Sequence, residues 1–451
     1  MTPRFGTDGL RGKANAELTP ELVMALGRAA ARVLSGDRFV VGRDTRLSGP
    51  MLFAALTAGI VAEGADVDDL GICPTPGVAW VSADENTPAA VISASHNPFD
   101  DNGVKFFARG GLKLTDTAEA EIEAELERIL ADPLAAATGP TGAALGRIRA
   151  HSSGRQRYAE AMTAQLEAGS LRGLSIVLDC AHGATFEVAP AVLTALGATV
   201  TVINDQPDGI NINEGAGTGH PEGLARTVTS VGADLGLAFD GDGDRVLAVD
   251  HSGAVVDGDQ ILAICALDRQ RHGRLKGDTL VVTVMANLGL RQVMAANDIG
   301  VFETKVGDRY VLEALDANGW CLGGEQSGHI IFRDLATTGD GLLTGLQLLD
   351  VMTRTGQSLA ELAKVMHRHP QVLRNVVVAD RLGLAGAADV WEEVRSVEAR
   401  LGDDGRVLIR VSGTEPLVRV MVEAASAEEA QAACDSLCEA VTRSLGGLQT
   451  P

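Results

Sequence analysis

Leu235-Gly236-Leu237-Ala238-Phe239-Asp240-Gly241-Asp242-Gly243-Asp244-Arg245 runs from an apolar segment straight into three carboxylates spaced by glycines. A short, continuously apolar run that stops at such a loop reads as a buried strand of a parallel or mixed sheet. Acids at the end of a buried strand stand where α/β proteins gather their ligands. The glycines let the backbone curl, so that Asp240, Asp242 and Asp244 converge. Three hard oxygen donors suit magnesium or calcium, not zinc. Without a cation, three carboxylates packed together repel one another.

Helical and strand patterns alternate on both sides of this stretch. Upstream, Thr19-Pro20-Glu21 reads as a cap and first turn, predicting a helix to about residue 34. Residues 39–41, 89–92 and 103–107 read as strands, 50–62 as a helix and 119–130 as an acidic amphipathic helix. Residues 131–149, rich in Ala, Gly, Pro and Thr, read as a linker. A strand at 175–178 restarts the alternation before 235–239. A further round follows residue 258, with a strand at 279–284 and a helix at 340–352. After a break at 366–370 the chain reads strand, helix, strand, strand, helix. The pattern predicts three α/β units and a smaller α+β unit, divided at 1–150, 151–252, 253–368 and 369–451. No strict sequence repeat joins the three units, so any likeness among them is structural.

The 451 residues carry a formal net charge of -22, which disfavours nucleic acid backbones and anionic membranes as partners. An anionic substrate then needs its own local positive field. Six scattered cysteines without a Cys-x-x-Cys pair, no apolar leader and no stretch long enough to span a bilayer predict a cytoplasmic protein. Cys434 and Cys438, four apart on a predicted helix, read as packing.

Ser93-Ala94-Ser95-His96-Asn97-Pro98 also follows an apolar strand and leads to Lys105. It lacks the Gly-x-Ser-x-Gly elbow of a hydrolase, and alone it reads as a turn. Beside an aspartate loop, the Ser95 hydroxyl can carry a phosphoryl group whose oxygens complete a magnesium site. Lys105 adds charge nearby. Gly323-Gly324-Glu325-Gln326-Ser327-Gly328-His329 places Glu325 and Ser327 alternately along an expected extended segment, a pattern fit for sugar hydroxyls. Arg410-Val411-Ser412-Gly413-Thr414-Glu415-Pro416, with Arg419 on the next strand, offers an anion nest flanked by two arginines. An EF-hand starting at Asp240 fails, because Arg245 and His251 stand where Gly and Glu are required. An aspartate-nucleophile phosphatase of the haloacid dehalogenase type, attacking with Asp240, shares the strand–Asp-x-Asp order and stays open. So does an acidic surface turn.

These four loops in this order, preceded by Phe5-Gly6-Thr7-Asp8-Gly9-Leu10-Arg11-Gly12, resemble the α-D-phosphohexomutase superfamily over essentially the whole chain. The resemblance implies three similar α/β domains with mixed sheets plus a smaller C-terminal α+β domain around a central cleft. It implies a phosphoserine at Ser95 and one magnesium ion held by Asp240, Asp242, Asp244 and the Ser95 phosphate. Arg11, Lys105 and Arg245 would surround the transferring group. Glu325, Ser327 and His329 would hold or flank the sugar, and Arg410, Ser412, Gly413, Thr414 and Arg419 would bind the phosphate that is not reacting. Ile92–Pro98, Glu325–Ile330 and Lys305-Val306-Gly307-Asp308-Arg309-Tyr310 resemble the branch that isomerises glucosamine phosphates; glucose- and mannose-phosphate branches typically carry His at position 308 and Met at position 326. The implied reaction interconverts glucosamine 6-phosphate and glucosamine 1-phosphate through a sugar bisphosphate. A glucose or mannose phosphate mutase is the alternative; the oligomeric state is open, and relatives of the branch point to a homodimer.

Overall fold

The computed structural model describes residues 5–6, 9–132, 139–412 and 416–449. The chain forms two compact units, one of residues 1–285 and 300–364, the other of residues 286–299 and 365–451.

The first unit contains three sheets built on one plan. In the first, Asp66–Ile72, Arg38–Arg43, Ala89–Ile92 and Asp101–Ala108 lie side by side in that order. The first three are parallel and the fourth is antiparallel. The second sheet repeats this with Thr199–Ile203, Ser175–Asp179, Leu235–Phe239 and Val246–Asp250. The third repeats it with Gly300–Thr304, Thr279–Thr283, Leu322–Gly324 and Ile330–Phe332. Each time the chain makes two parallel crossovers and then reverses. The reversal after the third strand holds the serine loop in the first sheet, the aspartate loop in the second and the glutamate loop in the third. Three loops with no common sequence therefore occupy one topological position, at the carboxyl end of a buried parallel strand.

Local chemistry explains the elements. Thr19 accepts a hydrogen bond from Leu22 N–H at 3.3 Å and starts the helix Pro20–Leu34. The predicted acidic helix spans Asp116–Ala131, beginning earlier than the charge pattern suggests because Thr115 caps it. The predicted helix at 340–352 is Gly341–Thr355, with Asp340 as its cap. The expected linker is corrected in part. Ile148–Ala150, at its end, pairs parallel with Asp66–Ile72 and extends the first sheet. A three-residue edge strand is too short to show a period-2 pattern.

The second unit has one antiparallel sheet, ordered Arg406–Val411, Leu417–Glu423, Gln371–Val377 and Leu448–Gln449. The helices Ala388–Leu401 and Ala427–Leu445 supply Val390, Val397, Leu437 and Val441 to its core, which also buries Val418, Val420 and Val422. Cys434 and Cys438 lie in this core, and all six cysteines are free and buried. The helix Leu288–Ala296 belongs here although it sits between two strands of the third sheet in sequence. Asn287 ties it in, donating to Glu423 at 3.1 Å and to the His369 carbonyl at 3.0 Å. Among the described residues no helix is long and apolar enough to cross a membrane.

Candidate active site

Ser95 is buried and has φ +52°, a left-handed conformation that a non-glycine residue rarely adopts. Its hydroxyl donates to Asp240 Oδ2 at 2.6 Å, whereas His96 Nδ1 lies 3.4 Å away. The short bond thus joins the serine to the aspartate loop, 145 residues downstream, and not to its sequence neighbour.

Carboxylate oxygens of Asp240, Asp242 and Asp244 lie within 4.8 Å of one another, all three residues buried. Gly241 and Gly243 make this convergence possible. A Cβ at Gly241 would stand 2.6 Å from the Ser95 carbonyl oxygen, and one at Gly243, where φ is +74°, 2.5 Å from Thr185 Cγ2. One oxygen of Asp242 and one of Asp244 are buried with no hydrogen-bond partner among the described residues. Buried oxygens without a donor beside a third carboxylate form the donor set a hard divalent cation takes. The residues fit such an ion.

Cations hold part of this charge. Lys105 Nζ, on the strand Asp101–Ala108, lies 3.2 Å from Asp242 Oδ2 and 3.7 Å from Asp244 Oδ2. Arg245 Nε is 3.8 Å from Asp244 Oδ1, and its backbone N–H donates to Asp240 Oδ1 at 3.2 Å. His329 bridges acids, with Nδ1 3.6 Å from Asp244 and Nε2 3.4 Å from Asp308. Burial drives all three aspartates toward the protonated form. His329, Lys105 and Arg245 overcome this at Asp244 and hold it well below the usual carboxylate range. At Asp242, Lys105 and the Thr75 hydroxyl outweigh burial and Asp244, so it too is lowered. Asp240 has the weakest compensation, and burial with the Asp244 and Asp242 charges pushes it well above the usual range. Burial, Arg245 and Arg11 lower the His96 imidazole.

The remaining expected residues divide into two groups. Arg11 lies on Gly9–Lys13, opposite Gly103, and its charge reaches His96. Glu325 Oε1 accepts from the Gly307 N–H at 3.1 Å, and its charge acts on Arg245. The extended segment expected around Glu325 and Ser327 is instead a tight turn. Gly328 N–H donates to the Glu325 carbonyl at 3.0 Å, and Gly328 has φ +92°. The reversal between two three-residue strands leaves no room for an extended run, and Ser327 is exposed there.

In the C-terminal unit, Arg410 and Arg419 are cross-strand partners on the hairpin. Burial and the Arg419 charge lower the Arg410 pKa. Ser412 is buried; its N–H donates to the Leu417 carbonyl at 2.9 Å, and its carbonyl accepts from Arg381 at 2.8 Å. Gly413 and Thr414 lie outside the described residues.

Sequence reasoning gave no site role to Thr75, Asn213 or Asp308, the last quoted only for the branch it marks. Thr75 donates its hydroxyl to Asp242 Oδ2 at 2.6 Å and its N–H to the Asp242 carbonyl at 2.9 Å. Its signal was Thr75-Pro76, the start of the helix Thr75–Glu85. Asn213 donates to the Ser95 carbonyl at 2.9 Å from a loop without distinctive sequence. Asp308 is held below the usual carboxylate range because Lys113 and His329 outweigh its burial.

Four segments match one family in order. Residues 2–132 match phosphoglucomutase/phosphomannomutase alpha/beta/alpha domain I, 156–253 domain II, 257–369 domain III and 373–440 the C-terminal domain. The phosphoglucosamine mutase of Clavibacter michiganensis subsp. michiganensis is 52% identical over 447 residues, covering 99% of this chain and 100% of that protein. That of Desulforudis audaxviator is 52% identical over 429 residues, 94% of each chain. Among solved structures, a phosphoglucomutase/phosphomannomutase family protein from Burkholderia thailandensis aligns over 100% of both chains with a TM-score of 0.80 and 26% identity.

Proposed function

Because this chain belongs to the phosphoglucomutase/phosphomannomutase family, we propose that it interconverts glucosamine 6-phosphate and glucosamine 1-phosphate through a phosphoserine at Ser95 and a bisphosphorylated sugar. The 2.6 Å bond from Ser95 Oγ to Asp240 carries the reading, since it sets a phosphorylatable hydroxyl against three buried carboxylates. The amino-sugar substrate is supported by the relatives at 52% identity, which are phosphoglucosamine mutases.

Asp240, Asp242 and Asp244, with a phosphate on Ser95, would hold one magnesium ion. Bound there, the ion supplies positive charge to the transferring group. The chain's own residues do the rest. In the first step the Oγ–P bond of phosphoserine breaks and a bond forms from phosphorus to the sugar O1. One proton passes from the sugar hydroxyl to Ser95 Oγ. Phosphoryl transfer depends chiefly on alignment and charge. Lys105 and Arg245, beside the carboxylates, neutralise charge gathering on the phosphoryl oxygens. Glu325, Ser327 and His329 orient the sugar. The distal phosphate rests on Arg410, Ser412, Gly413, Thr414 and Arg419. After the bisphosphate turns over, the 6-phosphoryl returns to Ser95 with the reverse proton movement. We assign the four domains to 1–150, 151–252, 253–368 and 369–451.

The test incubates the protein with magnesium and a trace of sugar bisphosphate. Glucosamine, glucose and mannose 6-phosphates are offered separately, and 1-phosphate and free phosphate are followed. Fastest isomerisation of the glucosamine ester is expected. Faster turnover of another ester would move the substrate. Free phosphate without isomerisation would overturn the mechanism in favour of an aspartate-nucleophile phosphatase.

A further inference from the structure

Arg43-Asp44-Thr45-Arg46 follows the strand Arg38–Arg43, and the side chains of Asp44 and Arg46 are both 0% exposed. A buried ion pair is a poor source of stability, and its best-supported use is to fix one arrangement. Here the arrangement is that of the serine loop. A guanidinium has five N–H donors, and Arg46 uses them all. Nε donates to Asp44 Oδ2 at 2.9 Å. Nη1 donates to the carbonyls of Asp101, at 3.0 Å, and Pro98. Nη2 donates to those of Ser95, at 3.0 Å, and Asn97, at 2.8 Å. Asp44 completes the grip. It accepts from the Ser93 hydroxyl at 2.5 Å, and the Ser93 oxygen accepts from the Ser95 N–H at 2.9 Å. Both backbone polar groups of Ser95 therefore trace back to one buried ion pair. Ser95 is also the loop residue with positive φ, a conformation that persists only where its surroundings over-determine it.

We propose that the Asp44–Arg46 pair clamps Ser95 in the conformation from which its hydroxyl meets the aspartate loop, so that Arg46 and Ser93 are positioning residues for phosphoryl transfer. The inference rests on the phosphoserine reading. Lysine cannot replace Arg46, because one ammonium with three donors lacks the planar fork that reaches several carbonyls.

The experiment uses the full chain with magnesium, as wild type, Ser95→Ala, Arg46→Lys and Ser93→Ala. Each protein is phosphorylated with a sugar 1,6-bisphosphate, and phosphoserine is counted by mass spectrometry. The single-turnover rate of transfer to glucosamine 6-phosphate is measured per phosphoserine, alongside KM and thermal melting. Arg46→Lys should slow transfer about 100-fold, the scale of a small misplacement of a reacting group. Ser93→Ala should slow it about tenfold, and KM should stay within about twofold, since neither residue is placed on the sugar. A lower melting temperature or phosphoserine content with an unchanged rate per phosphoserine would make the clamp merely structural and overturn the proposal. If Arg46→Lys does not fold, Ser93→Ala decides alone. Failure of the underlying reading is separate: it shows as Ser95→Ala retaining turnover.

Discussion

The loop after Phe239 and the hairpin after Arg410 each concentrate charge of one sign, and the protein treats them in opposite ways. Asp240, Asp242 and Asp244 are themselves buried and cross-tied. Thr75, Lys105, Arg245 and His329 each approach a particular carboxylate. At the hairpin, Arg410 faces Arg419 directly across two strands of a separate compact unit. Like charges opposite one another on a sheet are destabilising, so an anion binding there relieves the hairpin just as a cation relieves the aspartate loop. The rigid arrangement suits a reaction that needs alignment. The paired arginines offer the forked positive charge that a phosphate takes.

Breaking the rigid side should cost most. Ser95→Ala should lower turnover by more than about 1,000-fold, the scale seen when a reacting group that works as part of a unit is removed; a steady-state assay with sugar bisphosphate present checks this. Asp240→Asn should also remove most activity and should sharpen the charge argument. Asp240 has the least compensated carboxylate. Without metal its neutral replacement should melt about 1 °C higher, the shift that about 1 kcal/mol gives a unit of this size, and the melting increase that magnesium gives wild type should vanish. A lower metal-free melting temperature would contradict the repulsion account.

Breaking the arginine side should separate binding from chemistry. Arg410→Ala and Arg419→Ala should each raise KM about 10- to 100-fold, the worth of a charge-assisted hydrogen bond to phosphate. The rate of phosphoryl transfer from Ser95 at saturating substrate should change much less. Protection of the hairpin amides by inorganic phosphate in hydrogen exchange should disappear with either arginine.

The smallest effect on turnover sits behind the aspartate loop. Asp340 accepts from the Tyr158 hydroxyl at 2.9 Å, and burial pushes its pKa from 3.8 up to about 6. Between those pH values the folded protein keeps a proton that the unfolded chain has lost. Stability therefore falls as pH rises through this window, by on the order of 3 kcal/mol in all. Asp340→Asn should flatten that part of the profile, measured by denaturant unfolding from pH 4 to 6.5, with little change in kcat.

The same contrast explains what the sequence disclosed. Leu235–Phe239 and its aspartates were legible because a buried strand and its loop are contiguous, as were the strand and helix order after residue 370 and the Thr19 cap. The likeness of the three sheets came from the family resemblance and not from the strand patterns themselves, because it lies in pairings between strands far apart in sequence, such as Arg38–Arg43 with Ala89–Ile92. Ile148–Ala150 looked like linker because an edge strand needs no hydrophobic alternation. Glu325 and Ser327 were assigned an extended segment because two-residue spacing looks the same in a strand and in a turn closed by Gly328. Arg46, Thr75 and Asn213 act on loops at least 49 positions away along the chain, and one sequence carries no sign of such contacts.

In the proposed reaction Ser95, set against the three aspartates, carries the phosphoryl group. The most direct measurement loads the protein with a sugar bisphosphate bearing labelled phosphoryl groups, maps the label by peptide mass spectrometry and then adds unlabelled glucosamine 6-phosphate. Label is expected on Ser95 and should be chased into sugar phosphate in a single turnover. Label on Asp240, or label on Ser95 that stays while product forms, would contradict it.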